Sequence, residues 1–159
     1  MVCSFTGHRQ IALSHKERID ELLSRAIEYA YNEGCRTFLS GGAIGFDTLA
    51  ARAVILFRMS HPDVHLKMLL PCISQDAMWT DAQKDTYEYI LKTADSVEYV
   101  CEEYTPDCMK KRNQRLAEDC DILIAYVGRA RSGSAQTLRF AQKMERRVYN
   151  LYPALDKKA

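Results

Sequence analysis

The stretch Cys35-Arg36-Thr37-Phe38-Leu39-Ser40-Gly41-Gly42-Ala43-Ile44-Gly45-Phe46-Asp47 runs from apolar residues through glycines into a helical pattern. Cys35–Ser40 reads as a strand. From about Phe46 to Met59, Leu49, Ala50, Ala53, Val54 and Phe57 recur on one face at the helical period. A strand feeding a helix through a glycine turn is one arm of a parallel α/β unit. Glycines let the backbone adopt positive φ and approach a ligand closely. The helix start adds unpaired amide protons and a positive dipole end, which suit a phosphate. The turn is not the dinucleotide fingerprint, which needs G-x-G-x-x-G after the first strand. It is not a Walker A loop either, because no Gly-Lys-Ser/Thr follows. Two readings stay open: a phosphate or sugar site, and close helix–sheet packing with no ligand.

The same alternation extends in both directions. Val2–Thr6 reads as a first strand ending at Gly7. Ser14-His15-Lys16-Glu17 has the form of a capping box, followed by Ile19, Leu22, Leu23, Ala26, Ile27 and Ala30 at helical spacing, with Gly34 as the left-handed stop. His65–Leu70 is the third strand, closed by Pro71. Thr80-Asp81-Ala82-Gln83 is a second capping box, and its helix turns Tyr87, Ile90, Leu91 and Ala94 inward. Val97–Cys101 is a weaker fourth strand. Thr105-Pro106 starts a helix whose apolar stripe is Met109, Leu116, Ala117 and Cys120. Asp121–Val127 is a strong fifth strand, Ser132–Ser134 opens the last helix, and Val148–Leu151 is a sixth strand.

Six strands separated by helices predict an α/β fold: a Rossmann-like open, mostly parallel sheet with helices on both faces. The expected strand order is 3-2-1-4-5 with the sixth at the edge. Residues 1–153 are expected to form a single domain, and residues 154–159 a frayed tail. Ligands in such sheets bind beyond the carboxyl ends of the strands, where the order reverses. That rule selects four loops: Gly7–Gln10, Gly41–Asp47, Cys101–Thr105 and Gly128–Ser134.

Composition narrows the classes. In 159 residues, 22 Lys and Arg oppose 21 Asp and Glu, a net charge of +1, which argues against an extensive nucleic-acid surface. The average conceals an asymmetry. Between Met109 and Arg147 ten basic residues face four acidic ones, a local +6 that leaves −5 elsewhere. A few arginines at one crevice are enough for a small phosphorylated ligand. No run of 18 apolar residues occurs, and the N-terminus lacks a signal-peptide pattern, so neither a membrane span nor export is expected. Six cysteines are scattered with no C-x-x-C pair and no His at metal-ligand spacing. They read as reduced thiols in a cytoplasmic protein with no metal site.

Within the selected loops, on the fourth helix and beyond the third strand, several residues stand out. Arg9 could pair with a phosphate, and His8 could donate a hydrogen bond or shuttle a proton; a satisfied loop histidine is the alternative. Asp47, in a first helical turn, either complements the dipole or accepts a ribose hydroxyl. Asn113 lies on an apolar helical stripe, so its amide needs either a neighbouring loop or a ligand, and Arg112 beside it could reach the same crevice. Gly133 and Ser134 belong to a second helix-start cradle flanked by Arg129 and Arg131. Trp79 either stacks on a base or packs on the helix it precedes. The ligand-binding set is therefore Gly7, His8, Arg9, Gly41, Gly42, Ala43, Gly45, Asp47, Trp79, Arg112, Asn113, Gly133 and Ser134. No catalytic residue is assigned.

Phe5-Thr6-Gly7-His8-Arg9, Ser40-Gly41-Gly42-Ala43 through Asp47, Gln75 to Trp79, Arg112-Asn113, Leu123-Ile124-Ala125-Tyr126 and the glycine–serine turn together resemble the YpsA-like branch of the bacterial SLOG superfamily. The resemblance covers about Cys3 to Leu151. It implies a Rossmann-like fold that recognises nucleotides or nucleotide-derived molecules. The wider group includes the Lonely Guy phosphoribohydrolases and the single-stranded-DNA-binding DNA-processing protein A family. The Lonely Guy enzymes carry P-G-G-x-G-T-x-x-E, whose glutamate is needed for catalysis. Here the stretch is Arg131-Ser132-Gly133-Ser134-Ala135-Gln136-Thr137-Leu138-Arg139, without that glutamate, so the hydrolase activity is not carried over. The expected function is binding of a nucleotide-like ligand by a sensor or regulatory protein that requires no cofactor. An enzyme cleaving an N-glycosidic or phosphoester bond is the alternative, with His8, Asp47 or Glu102 as candidate bases. Single-stranded DNA binding is the third. A homo-oligomer is compatible with all three.

Overall fold

A computed structural model describes residues 1–157. The strands are β1 (Val2–Gly7), β2 (Thr37–Ser40), β3 (His65–Leu70), β4 (Ser96–Tyr99), β5 (Ile122–Tyr126) and β6 (Arg147–Asn150). The helices are α1 (Ile19–Glu33), α2 (Phe46–Ser60), α3 (Asp81–Thr93), α4 (Cys108–Asp119), α5 (Gly133–Lys143) and α6 (Tyr152–Asp156), with a 3-10 turn at Leu13–His15. All strand pairs are parallel, giving one six-stranded Rossmann-like sheet with helices on both faces.

Side-chain alternation along the strands divides the core into two layers. Phe5, Phe38, Leu66, Met68, Ile124 and Tyr126 pack beneath α1, α2 and α3. On the other face, Leu39 and Leu69 pack with Leu116 of α4, and Leu123 and Ala125 pack with residues of α4 and α5. Ser4 points to that second face, where its hydroxyl donates to the Leu116 carbonyl at 2.8 Å. A buried hydroxyl is thereby satisfied.

The strand order is β4-β3-β2-β1-β5-β6, which corrects the expected 3-2-1-4-5. β4 pairs with β3, and β5 takes the place beside β1 that the sequence reading gave to β4. Burial explains the outcome. β5 (Ile-Leu-Ile-Ala-Tyr) is buried at every residue and belongs inside a sheet covered on both faces. β4 (Ser-Val-Glu-Tyr) is largely exposed and suits an edge. Its Glu98 is held by Lys67 at 2.8 Å and Arg115 at 2.9 Å.

Two local expectations also change. Ser14 does not cap α1. His15 turns inward, with Nδ1 2.7 Å from the Tyr126 hydroxyl and Nε2 2.7 Å from Asp156, so residues 13–15 close a 3-10 turn. α1 begins at Ile19 with no side-chain cap. Asp156 also anchors the segment expected to fray: residues 152–156 form α6, with Leu155 buried. Residues 158–159 of that expected tail lie outside the described residues. The Thr80–Gln83 capping box is present, and Gly34 closes α1 at φ +116°. All six thiols are free, and five are buried.

Candidate functional site

The order reverses between β1 and β5, and a cleft of about 220 Å³ opens beyond their carboxyl ends. The loop after β1 contributes Thr6, Gly7, His8 and Arg9, and the turn between β2 and α2 contributes Ala43 and Asp47. Arg129, Ser132, Gly133 and Ser134 enter from the β5–α5 connection. No residue of the Cys101–Thr105 loop lines the cleft, because β4 is three strands away from β1 at the edge. α4 makes up for this. It returns from that edge to β5 across the sheet and brings Met109, Arg112, Asn113 and Leu116 to the cleft.

Asp47 is the cleft's most unusual group. It is 5% exposed, and its Oδ2 accepts the Ala43 amide at 3.3 Å. Its Oδ1 is buried with no hydrogen-bond partner among the described residues. Burial pushes its carboxyl up to about 6, even though Arg112, the Ala43 amide and Arg9 all favour the ionised form. A lone carboxylate oxygen is an acceptor without a donor, and leaving one buried is unfavourable.

Arg112 is mostly committed to the scaffold. Nη1 donates to the Gly41 carbonyl at 2.6 Å and to Gln75 Oε1 at 3.3 Å, and Nε donates to Asn113 Oδ1 at 3.0 Å. Among the described residues Nη2 meets only the Met109 sulfur, at 3.8 Å, a weak acceptor. Burial pulls this guanidinium's pKa down, and Asp47 opposes the shift. Asn113 Nδ2 donates in turn to the Gly133 carbonyl at 3.2 Å and to Gln136 Oε1 at 3.4 Å. Its stripe position thus resolves into a bridge from α4 to α5 that also forms part of the cleft wall.

His8 is fixed by its neighbours. Nε2 accepts the Gly128 amide at 2.8 Å and faces the Arg129 amide at 3.3 Å. Nε2 must therefore be unprotonated, and Nδ1–H donates to the Ser134 hydroxyl at 3.2 Å. Burial, then the Arg129 charge, lowers its pKa. In this tautomer the imidazole cannot take a proton from Ser134, which removes His8 as that serine's base. Ser134 is also 3.1 Å from Ser132, whose Oγ accepts the Ala135 amide and caps α5.

Three of the glycines act on the fold rather than at the cleft surface. A Cβ on Gly45 (φ +84°) would lie 2.2 Å from the Arg9 carbonyl. One on Gly42 (φ +71°) would meet Leu70, and one on Gly41 would meet the Arg112 guanidinium. The amides near them are engaged as well: Gly42 donates to Ser40 Oγ and Phe46 to the His8 carbonyl. For this turn the structure supports the close-packing reading. Gly133 differs, since its nearest neighbour to an added Cβ is 3.5 Å away. Trp79 does not line the cleft; its ring packs edge-on against Tyr87 at 4.9 Å. Arg129 and Ser132 were absent from the expected set although they line the cleft. The Arg129-x-Arg131 pair ahead of a small-residue helix start was the available signal. The guanidinium groups of Arg9 and Arg129 are exposed and make no hydrogen bond or ion pair among the described residues.

A family model described as the YspA SLOG family matches residues 3–154. The SPbeta prophage-derived protein YoqJ of Bacillus subtilis (strain 168) is 28% identical over 148 residues, spanning 84% of this chain and 86% of the relative. A UPF0398 protein of Bacillus thuringiensis (strain Al Hakam) is 26% identical over 138 residues, spanning 86% of this chain and 75% of the relative. Among solved structures, DNA processing protein A from Streptococcus pneumoniae superposes with a TM-score of 0.65 at 21% identity, over 93% of this chain and 49% of that one. DNA processing protein A from Helicobacter pylori, described for its single-stranded DNA binding mode, gives 0.63 at 21% identity, over 93% and 63%. At that identity the likeness is one of fold, and this chain spans only about half to two thirds of those structures. No helix among the described residues is long and apolar enough to cross a membrane.

Proposed function

The chain belongs to the YspA SLOG family, and from that premise we propose that its cleft binds a small phosphorylated, nucleotide-derived ligand in a sensory or regulatory role. The observation that carries the reading is a pairing of opposites in one cleft. Two exposed, uncommitted guanidiniums, Arg9 and Arg129, line the cleft, and a buried acceptor without a donor, Asp47 Oδ1, sits within its wall. A phosphate matches the first. A sugar hydroxyl, which can donate, would satisfy the second once a small shift of the wall exposes it. The exposed start of α5 at Gly133 and Ser134 adds backbone amides on the phosphate side. The cleft lies below the roughly 300 Å³ at which pockets for drug-sized ligands begin. A phosphorylated sugar fits, with any base projecting outward.

The test is a thermal-shift panel of nucleoside monophosphates, sugar phosphates, ADP-ribose and nicotinamide dinucleotides. Binding to the folded state must raise apparent stability. Arg9→Ala with Arg129→Ala is expected to remove the stabilisation without lowering the Tm of the free protein. No shift from any compound at millimolar concentration would overturn the reading.

A second reading, a hydrolase acting on an N-glycosidic or phosphoester bond, is favoured by the same Asp47. A buried carboxyl pushed up to about 6 is suited to exchanging protons near neutrality. Of the three candidate bases, His8 is held in the wrong tautomer to activate Ser134, and Glu102 is outside the cleft. Chromatography of incubated nucleotides tests this, with Asp47→Asn as the inactive control. Single-stranded DNA binding rests only on the likeness of fold to the Helicobacter pylori protein. It predicts retention that weakens steeply with salt.

A further inference from the structure

The helix layer of α1, α2 and α3 carries an apolar surface that the ligand reading does not use. Leu56 is 67% exposed, Met59 80% and Tyr89 54%. With Leu49, Ala53 and Ile55 they line a groove of about 580 Å³ that continues along the α1–α2 seam past Ile27 and Phe57. Contiguous exposed apolar surface of this kind marks an interaction site more often than scattered single residues do.

The charges at the groove indicate its occupant. Asp20 of α1 and Arg52 of α2 both line it, are both exposed, and have no oppositely charged partner among the described residues. Glu21 with Arg25 and Glu88 with Lys92 pair within their own helices, so the groove itself presents one unpaired charge of each sign. A patch bearing one cation and one anion beside an apolar strip is self-complementary, as a two-fold contact requires. An anionic membrane or a nucleic acid would call for an excess of basic residues instead.

We propose that a second copy of this chain docks on the α1–α2–α3 face as a two-fold pair. Leu56 and Met59 of each copy cover the other's groove, and Arg52 of one copy faces Asp20 of the other. The 15 residues of α2 span about 22 Å. Three helices at roughly 10 Å spacing make a face about 20 Å wide. Each copy therefore offers about 450 Å², or roughly 900 Å² for the pair, the size of a weak, exchanging contact. The cleft stays open, because it is built at the amino end of α2 and from α4 and α5 on the opposite layer.

Sedimentation of the full chain, from about 5 μM to about 500 μM, should show the mass rising reversibly toward that of a dimer. Leu56→Glu is expected to hold the chain monomeric across the range. Arg52→Glu is expected to weaken association at least tenfold, and Asp20→Lys combined with Arg52→Glu to restore it. All these side chains are exposed, and matching circular dichroism would confirm folding. A chain that stays monomeric at the top concentration overturns the proposal. So does association that ignores Leu56→Glu, a charge exchange that fails to rescue, or a monomer that instead binds neutral lipid vesicles. Ligand shifts in the Leu56→Glu monomer report on the cleft separately, so either reading can fail without the other.

Discussion

Replacing Asp47 with Asn isolates the electrostatic state of the cleft. In the folded chain this carboxyl has a pKa raised from 3.8 to about 6, chiefly by burial. The folded form therefore holds its proton more tightly than the unfolded form. The contribution of this group to stability is greatest below about pH 4, falls as the pH rises through the interval from about 4 to 6, and levels off above it. Roughly two pH units at about 1.4 kcal/mol each set the size, near 3 kcal/mol in total. Asn does not titrate. Its own fixed penalty, an amide placed where Oδ1 has no partner, is the same at every pH and cancels in the comparison. Glu98, held down to about 2 by Arg115 and Lys67, shifts stability the opposite way, but equally in both proteins. Urea unfolding at about pH 4, 5, 6 and 7 can be followed through the single tryptophan, Trp79, packed on Tyr87. The Asp47→Asn variant should gain about 2–3 kcal/mol on the wild type between the lowest and highest pH. A difference constant to within about 0.5 kcal/mol would refute the claim that the burial of Asp47 outweighs its compensation by Arg112, Ala43 and Arg9.

Arg112→Met should lower stability by roughly 2–4 kcal/mol in the same assay, because the Gly41 carbonyl, Gln75 and Asn113 lose their donor together. Arg112→Lys, whose ammonium cannot span all three, should recover only part of the loss. Gly45→Ala should unfold or severely weaken the protein, whereas Gly133→Ala should fold normally and lose ligand stabilisation; equal Tm values for the two would contradict the assigned roles. Nitrogen NMR of the His8 ring should show the neutral Nδ1–H tautomer at neutral pH. Its protonation should be shifted below the ordinary histidine value, and the folded state should lose stability as the pH falls from that value through the lowered one. A ring titrating near 6.5 would argue against the amide contacts.

The alternation of apolar runs with helical stripes identified every strand; the interior strands are covered on both faces and need apolar runs, and the short edge strands were marked by the helices that flank them. The placing of β4 beside β1 followed from counting strands in order. The polar makeup of Ser96-Val97-Glu98-Tyr99 already indicated an edge. At Ser14 the local capping signal lost to a tertiary one: the pull of His15 toward Tyr126 and Asp156 is invisible from neighbouring residues. In the cleft, nine of the thirteen expected residues converge, since three of the four selected loops flank β1. Gly41, Gly42 and Gly45 were chosen for what glycine permits near a ligand, but here it permits packing against Arg112, Leu70 and the Arg9 carbonyl. Only the three-dimensional neighbours distinguish those uses. The ring of Trp79 packs on Tyr87 of α3, a contact that its position ahead of that helix allowed.

The placing of β5 against β1 also bears on how the chain is made. Thr6 pairs with Ala125 and Gly7 with Tyr126, across nearly 120 residues of sequence. During synthesis the first four strands can assemble while the far side of β1 still has no neighbour. Until β5 emerges, Phe5-Thr6-Gly7 presents unpaired backbone donors and acceptors, a template for any other strand that meets it first. Contacts this distant in sequence form slowly. The half-made protein is therefore most prone to aggregate in the interval before residue 126 is available, and β1, which later holds His8 beside the cleft, is its vulnerable edge.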